Sequence, residues 1–163
     1  MKFSSIIKSA LIGLTVAAAA PAAMAAVTAG QINYLNSLYN NGLGRIADAG
    51  GMAFYIEKLN EQVCSQAQAA SLASTFFGSP ELQSQHLPSS ELVNRIFVSI
   101  LGRDPAVGEL LYYSQFGASS TMGPSLDPKV STTTFSAETL ASLARQFVYT
   151  DEFRTQRLPA YCR

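Results

Sequence analysis

The feature that most constrains the fold of this chain is an internal repeat. The dipeptide Gly44-Arg45 recurs 58 positions later as Gly102-Arg103, each time directly after a leucine. At the same spacing, positions with glycine or a large apolar side chain coincide: Leu35 with Val93, Leu38 with Ile96, Tyr39 with Phe97, Leu43 with Leu101, Gly50 with Gly108, Phe54 with Tyr112 and Tyr55 with Tyr113. Because so many similar positions share one spacing, we interpret the chain as a duplicated supersecondary unit.

The first unit has the spacing of amphipathic helices, with apolar residues every three or four positions. This pattern predicts a helix over 31–43, a second helix with Asp48 as its N-cap, and a third helix over 66–77. A Ser-Pro-Glu-Leu turn at 79–82 then closes the unit, with the serine as its cap and the proline at the first helical position.

The second unit repeats this order of elements. Ser89 or Ser90 is predicted to cap its first helix, Asp104 its second and Ser136 its third. A Thr-Asp-Glu-Phe turn at 150–153 matches the closing turn of the first unit. No stretch shows a sustained alternation of apolar and polar residues, so no strand is predicted.

One long segment interrupts the second unit. Residues 117–135 are rich in Ser, Thr, Gly and Pro and have no apolar period, which is typical of a loop. The sequence therefore predicts an all-α fold. Two tandem three-helix units, at 31–82 and 89–155, are expected to pack as one compact domain over 26–163.

The N-terminal 25 residues have the layout of a secretory signal peptide. Lys2 and Lys8 precede an apolar run over 10–20, and Ala23-Met24-Ala25 supplies a small-residue cleavage pattern. We expect export to the periplasm or the medium with cleavage after Ala25; the alternative is an uncleaved anchor. The rest of the chain has no run of roughly 20 apolar residues, so we expect no membrane span after cleavage.

The charge balance argues against two classes of partner. The whole chain has 11 basic and 11 acidic residues, and removal of Lys2 and Lys8 with the signal peptide leaves a net charge of −2. A weakly acidic domain lacks the positive surface that attracts nucleic acids and anionic membranes. We therefore expect neither of them as a partner.

Two cysteines, Cys64 and Cys162, remain in a chain that is expected to reach an oxidising compartment. An even count in that setting predicts a disulfide, with two free thiols as the alternative. A metal site would need more ligands, and the one histidine, His86, lies in a connector flanked by Pro and Ser. We predict no metal and no cofactor, and we interpret His86 as an exposed linker residue.

No group of residues has the pattern of a known catalytic site. Asp151-Glu152 is a pair of carboxylates, which glycosidases require, but neighbours on a helix point in different directions. The single histidine argues against Ser-His and Cys-His mechanisms. We therefore expect a chain that is not an enzyme.

The repeated Gly-Arg corners allow two interpretations. Arg45 and Arg103 are predicted to pair with the closing-turn carboxylates of their own units, Glu81 and Glu152. Arginine forms bidentate pairs with carboxylates, and such a pair would tie the corner to the closing turn. The alternative is an anion-binding site at each corner.

A second glycine follows each corner, as Gly50 and Gly108. A glycine just inside a helix costs stability, which close helix packing can offset. Phosphate cradling is the alternative, but neither unit has the Lys and Ser/Thr that a P-loop needs in register. We predict close packing at both glycines.

In their order, these motifs resemble the repeat of the domain-of-unknown-function family 4214. The resemblance rests on a helix ending in Leu-Gly-Arg, an Asp-Pro or Ala-Asp turn, a glycine that leads into a tyrosine-bearing helix, and a closing Ser/Thr-x-Glu-Phe/Leu element. It covers about residues 32–153, in two copies. The second copy resembles the family more closely at 101–105, whereas the first departs from it at 44–48.

The family is itself similar to the phycobilisome linker domain. The resemblance implies a helical module of an exported bacterial protein, and because the activity of such modules is not established, it transfers no catalytic residue.

Two functions are compatible with the sequence. The first is an exported, non-enzymatic module that binds another protein or a surface polymer, and the second is a small extracytoplasmic hydrolase acting on cell-wall or surface glycan. Most tyrosines recur at the spacing of buried helix positions, but Tyr112 and Tyr149 are candidates for exposed rings. Exposed apolar patches would favour the first function, and carboxylates with a raised pKa in a pocket would favour the second.

Overall fold

A computed structural model describes residues 26–116 and 135–163. The predicted signal peptide at 1–25 and the predicted loop at 117–135, apart from its last residue, lie outside the described residues. That last residue, Phe135, is buried in the core.

The described residues form helices and no strand, so the predicted all-α fold is confirmed. The first unit contains α1 (Ala29–Ser37), a π-helical turn π1 (Leu38–Leu43), α2 (Ala49–Asn60), α3 (Gln66–Phe77) and α4 (Pro80–Gln83). The second contains α5 (Ser89–Ile96), π2 (Phe97–Leu101), α6 (Val107–Phe116) and α7 (Ala137–Val148), followed by π3 (Phe153–Arg157) and α8 (Leu158–Tyr161).

The first helix of each unit widens into a π-helical turn before it ends. Gly44 and Gly102 then adopt the left-handed conformation, both with φ of 73°. A side chain is strained in this region, whereas glycine is not, which explains why glycine recurs at both corners. The sequence predicted one uninterrupted helix here, because a single wide turn barely changes the apolar period.

Both predicted caps of the first unit are present. The Asp48 side chain accepts a hydrogen bond from the Gly51 backbone N–H at 2.7 Å, and Ser79 accepts one from Leu82 at 3.2 Å. The N-terminus of α1 has a capping box that the sequence analysis missed, in which Thr28 and Gln31 each accept the other's backbone N–H.

Two predicted caps of the second unit are wrong. The N-cap of α5 is Pro88, which leads in from an extended conformation without a side-chain cap, so neither Ser89 nor Ser90 holds that position. The first hydrogen bond of α6 joins Leu110 N to Ala106 O, so this helix starts two residues later than Asp104 predicts. The predicted cap Ser136 does accept from Thr139 N, at 3.2 Å.

The core lies where the two units face each other. Helix α3 packs along α7, and π1 packs against π2. The largest fully buried side chains come from both units: Leu35, Leu38, Leu59, Phe77, Leu82, Val93, Ile96, Phe97, Ile100, Phe135, Leu140 and Phe153. Because each unit buries its apolar face against the other, the two units form one core.

The two closing turns have the same hydrogen bonds. The Ser79 hydroxyl donates to Phe76 O at 2.7 Å, and the Thr150 hydroxyl donates to Phe147 O at 2.7 Å. Thr150 also accepts from Phe153 N at 3.3 Å, as Ser79 does from Leu82 N. The duplication therefore extends from the corner to the end of each unit.

The C-terminal tail is joined to the first unit by the predicted disulfide. Cys64, which follows α2, bonds to Cys162, 98 positions later. The tail is also held by buried polar groups, because the Tyr161 hydroxyl donates to Gln68 Oε1 at 2.9 Å and Gln31 Nε2 donates to the same oxygen at 2.6 Å. The tail is therefore held by these hydrogen bonds as well as by the disulfide.

None of the helices in the described ranges is long and apolar enough to cross a membrane.

Candidate functional site

The corner of the first unit centres on Arg45. Its Nε and NH2 atoms donate to the two carboxylate oxygens of Glu81, the second at 3.0 Å, so the pair is bidentate. Its NH1 atom donates to Asp48 Oδ2 and to the carbonyl of Ile46, both at 3.2 Å. The corner, the start of α2 and the closing turn are thereby joined through one guanidinium.

The corner of the second unit has the same design around Arg103. Its Nε and NH2 atoms donate to Glu152 at 2.6 and 2.9 Å, and its NH1 and NH2 atoms donate to Glu109, both at 2.8 Å. A fifth hydrogen bond, at 3.1 Å, goes to the carbonyl of Asp104. All five N–H groups of this guanidinium are therefore used, which leaves none for an external anion.

The second carboxylate of each corner comes from a different sequence position. In the first unit it is the N-cap residue, Asp48. In the second unit it is Glu109, three residues after the N-cap, which also accepts the Ala106 N–H at 2.8 Å. Asp48 and Glu109 thus each supply one half of a capping box and occupy the same role beside the arginine.

The aromatic residue at each corner explains why the second carboxylate comes from a different position in each unit. Each arginine lies over a ring, Arg45 at 4.9 Å from the Tyr39 centroid and Arg103 at 5.0 Å from that of Phe97. The Tyr39 hydroxyl occupies the space that a Cβ at Gly51 would need. Phe97 has no hydroxyl, so the repeat-equivalent position can hold Glu109.

The carboxylates at both corners are stabilised in the charged form. Hydrogen bonds from Arg103 lower the pKa of Glu109 to about 2 and also lower the pKa of Glu152. The Arg45 side chain lowers the pKa of Glu81 in the same way, whereas the largest cause of the lowered pKa of Asp48 is its bond to the Gly51 backbone. A general acid needs the opposite shift.

The prediction of close packing at Gly50 and Gly108 is wrong. A Cβ at Gly108 would meet nothing within 4 Å, and one at Gly50 would meet only Asp48 Oδ1, at 3.4 Å. Both positions lie on the solvent side of their helices. Close packing instead requires glycine at two other positions. The Tyr39 hydroxyl leaves no room for a Cβ at Gly51, and the Ala160 carbonyl leaves none at Gly30.

The other candidate residues are not brought together into a site. Asp151 pairs with Arg154 at 2.8 Å, whereas its neighbour Glu152 pairs with Arg103, so the two carboxylates face different partners. His86 is exposed and its ring contacts the Ser84 carbonyl. Within 26–116 and 135–163, no three His, Cys, Asp or Glu side chains are grouped as metal ligands would be.

Two open clefts occur on the described surface. One, of about 380 Å³, lies between α6 and α7 and is lined by Tyr113, Glu138 and Gln146 among others. The other, of about 250 Å³, lies between π1 and α5 and is lined by Asn40, Asn94 and Arg95 among others. Neither cleft could be predicted from the sequence, because each combines residues from elements that are separated along the chain.

Glu109 was not among the corner residues predicted from the sequence. The signal available was its position three residues after Ala106, at the start of a helix, where a carboxylate can accept the N-cap amide.

Comparison with known proteins gives one match. Residues 22–71 match the family described as Domain of unknown function (DUF4214). This range ends within α3 and includes the Gly44-Arg45 corner. No curated protein and no solved structure matches the chain. The match shows that this part of the first unit is similar to the DUF4214 family.

Proposed function

We propose that this chain is an exported, non-enzymatic module of two DUF4214 units that binds another protein or a surface polymer. The matched range covers part of the first unit and none of the second, so support for a second copy comes from geometry. Both units share a left-handed glycine, an arginine that pairs with the closing-turn glutamate, and the same hydroxyl-capped turn.

The non-enzymatic proposal rests on one observation: the repeated carboxylates are bound to the corner arginines. Glu81, Glu109 and Glu152 are all bound to a corner arginine, and the pKa of each is lowered. Groups held in this way stabilise the fold and do not exchange protons near neutral pH. The repeated charges therefore serve the scaffold.

Exposed apolar side chains are available for a partner. The largest of them are spread over both units: Ile46, Phe54, Val63, Val107, Leu111, Tyr112 and Tyr149. Val107 and Leu111 are one helical turn apart on α6 and are 76% and 59% exposed. Apolar groups that a monomer leaves in water are commonly used for binding.

One experiment separates this proposal from the hydrolase alternative. The purified protein is mixed with insoluble cell-envelope material and sedimented, and the supernatant is assayed for new reducing ends. We expect the protein to sediment without releasing reducing ends. Release of reducing ends that disappears in Glu138→Gln, a carboxylate in the larger cleft, would establish a hydrolase instead.

Export has its own test. On the proposal, the intact mass of the protein from the envelope or the medium corresponds to a chain that begins at Ala26. Recovery there of a chain that still begins at Met1 would contradict cleavage, and recovery only from the cytoplasm would contradict export.

A further inference from the structure

The smaller cleft lies beside the first corner and is mostly polar. It is lined by Asn40 and Asn41 of π1, by Glu91, Asn94 and Arg95 of α5, and by Gly44 and Val98. The cleft, of about 250 Å³, is smaller than the about 300–1,000 Å³ typical of drug-sized ligands. It suits a ligand the size of one ring.

Arg95 is held in place at the edge of this cleft. Its Nε donates to Glu91 at 2.9 Å, and its NH1 donates to the Gly42 carbonyl at 3.1 Å and to Gln85 at 2.9 Å. Its side chain is only 17% exposed, so it is largely withdrawn from water. Its NH2 makes no hydrogen bond within the described parts of the chain, and it is therefore a fixed donor available to a ligand.

Three carboxamides add both donors and acceptors. Asn41 donates to the Ser37 hydroxyl at 3.0 Å, which orients its amide and leaves its oxygen available. The side chains of Asn40 and Asn94 make no hydrogen bond to any residue that the structure describes. An amide presents an acceptor and two donors side by side, as neighbouring hydroxyl groups require.

The two π1 asparagines of this cleft are not repeated at the second corner. At the spacing of the repeat, Val98 and Ser99 stand where Asn40 and Asn41 stand in the first unit. Ser99 is fully buried, so it offers nothing to a ligand. The asparagines therefore do not belong to the scaffold that the two units share, and they are available for binding.

We propose that this cleft binds one pyranose ring of a neutral glycan, through Asn40, Asn94 and the free side of Arg95. The proposal rests on the proposed function and narrows its surface polymer to a polysaccharide. The Glu91–Arg95 pair balances its own charge, so the cleft does not select a charged ligand. The carboxamides match the donor and acceptor pairs of adjacent sugar hydroxyls.

A peptide ligand fits these observations less well. An extended peptide is commonly bound along a free strand edge or with its side chains in apolar pockets. The described residues contain no strand, and Val98 is the one apolar side chain that lines this cleft. Binding of a peptide is therefore an outcome that would contradict the proposal.

The test is a titration of the whole ¹⁵N-labelled protein with glucose, galactose, mannose and N-acetylglucosamine, followed by NMR. We expect at least one sugar to shift the side-chain amide signals of Asn40 and Asn94 in a saturable way. The affinity should be weak, in the millimolar range, because the site offers few hydrogen bonds and no apolar stacking.

Two variants make the result specific. Asn40→Ala/Asn94→Ala should bind the same sugar at least about tenfold more weakly, since two hydrogen-bonding side chains are lost. Asn33→Ala, which removes an exposed amide of α1 outside the cleft, should bind as the natural protein does. Both variants change partly or fully exposed positions, and an unchanged backbone spectrum shows that they fold.

Absence of saturable shifts with every sugar, or equal binding by the double variant, would overturn the proposal. So would shifts at these asparagines with a neutral peptide, such as tri-alanine amide, but with no sugar. If the cleft fails while the protein still sediments with envelope material, the module binds through another surface and the proposed function stands.

Discussion

Arg103 and Glu152 are 49 positions apart, yet they form a bidentate pair with distances of 2.6 and 2.9 Å. The pair joins the end of the first helix of the second unit to the turn that closes the unit. Arg45 and Glu81 form the same pair in the first unit. Bringing two distant segments together costs conformational entropy, and each pair is one of the folded-state contacts that offset this cost and hold the corner against the closing turn.

The corner carboxylates predict a loss of stability in acid. A carboxyl group whose pKa is lower in the folded state stabilises the fold above its unfolded pKa, and this contribution is lost as the pH falls through the folded pKa. For Glu109 the window runs from 4.5 down to about 2. We expect the free energy of unfolding to fall across this window.

The matching variant is Glu109→Gln, measured by urea unfolding from pH 6 to 2. Its stability should be lower than that of the natural protein at pH 6, and the difference should shrink towards pH 2 because the natural side chain takes up a proton as the pH approaches its folded pKa. A constant difference across this range would show that Glu109 is not the titrating group.

Two glycines predict opposite effects of the same substitution. Gly108→Ala should stabilise the protein by about 0.5 kcal/mol, because the new methyl group meets open space and alanine favours the helix. Gly51→Ala should lower the melting temperature, because its Cβ collides with the Tyr39 hydroxyl. If Gly108→Ala melts lower than the natural protein, the exposed environment assigned to this position is wrong.

Part of this structure could be predicted from the sequence because it depends on local spacing. The spacing of apolar residues correctly predicts which face of α7 is buried. Asp48, Ser79 and Ser136 cap helices, as predicted. The pairing of each corner with its closing turn also followed from the repeat. These features are either local or present twice.

The remaining features depend on tertiary contacts, which the sequence alone does not reveal. The π-turns add about one residue to a helical turn and hardly disturb the apolar period. The role of Glu109 depends on the absent hydroxyl at Phe97, and the exposed state of Gly108 depends on how α6 packs. Only the folded chain shows which side of α6 faces water.

A buried hydroxyl gives a further prediction. The Ser99 Oγ is fully buried and makes no hydrogen bond in the described structure. Removing a buried polar group without a partner relieves a desolvation cost, so Ser99→Ala should stabilise the protein by roughly 1 kcal/mol.

The comparison variant is Ser37→Ala, because the Ser37 hydroxyl donates to the Ser99 carbonyl at 3.1 Å. Its loss should lower the melting temperature, whereas Ser99→Ala should raise it. A lower melting temperature for Ser99→Ala would mean that its hydroxyl has a partner after all.

The disulfide predicts a large loss of stability on its removal. In the chain-entropy model, a loop of about 100 residues contributes on the order of 4.7 kcal/mol, less any strain, and Cys64 and Cys162 are 98 positions apart. Cys64→Ser/Cys162→Ser should therefore unfold at much lower urea. The Tyr161 anchor should keep the tail docked in native buffer, and its protection against amide exchange reports this.

The bond itself is tested by alkylation of the unreduced, denatured protein. We expect no label until a reductant is added. Labelling of both cysteines without reduction would contradict the bridge.

The most direct test of the structural role of the corners is a double-mutant cycle at Arg103 and Glu152. Arg103→Ala, Glu152→Ala and the double variant are compared with the natural protein by urea unfolding at pH 7 and low salt. If the pair ties the corner to the closing turn, the double variant loses less stability than the two single losses together. We expect a coupling free energy of roughly 1 kcal/mol, since the pair is partly exposed. Additive losses would contradict a tie and would reopen the anion-site interpretation.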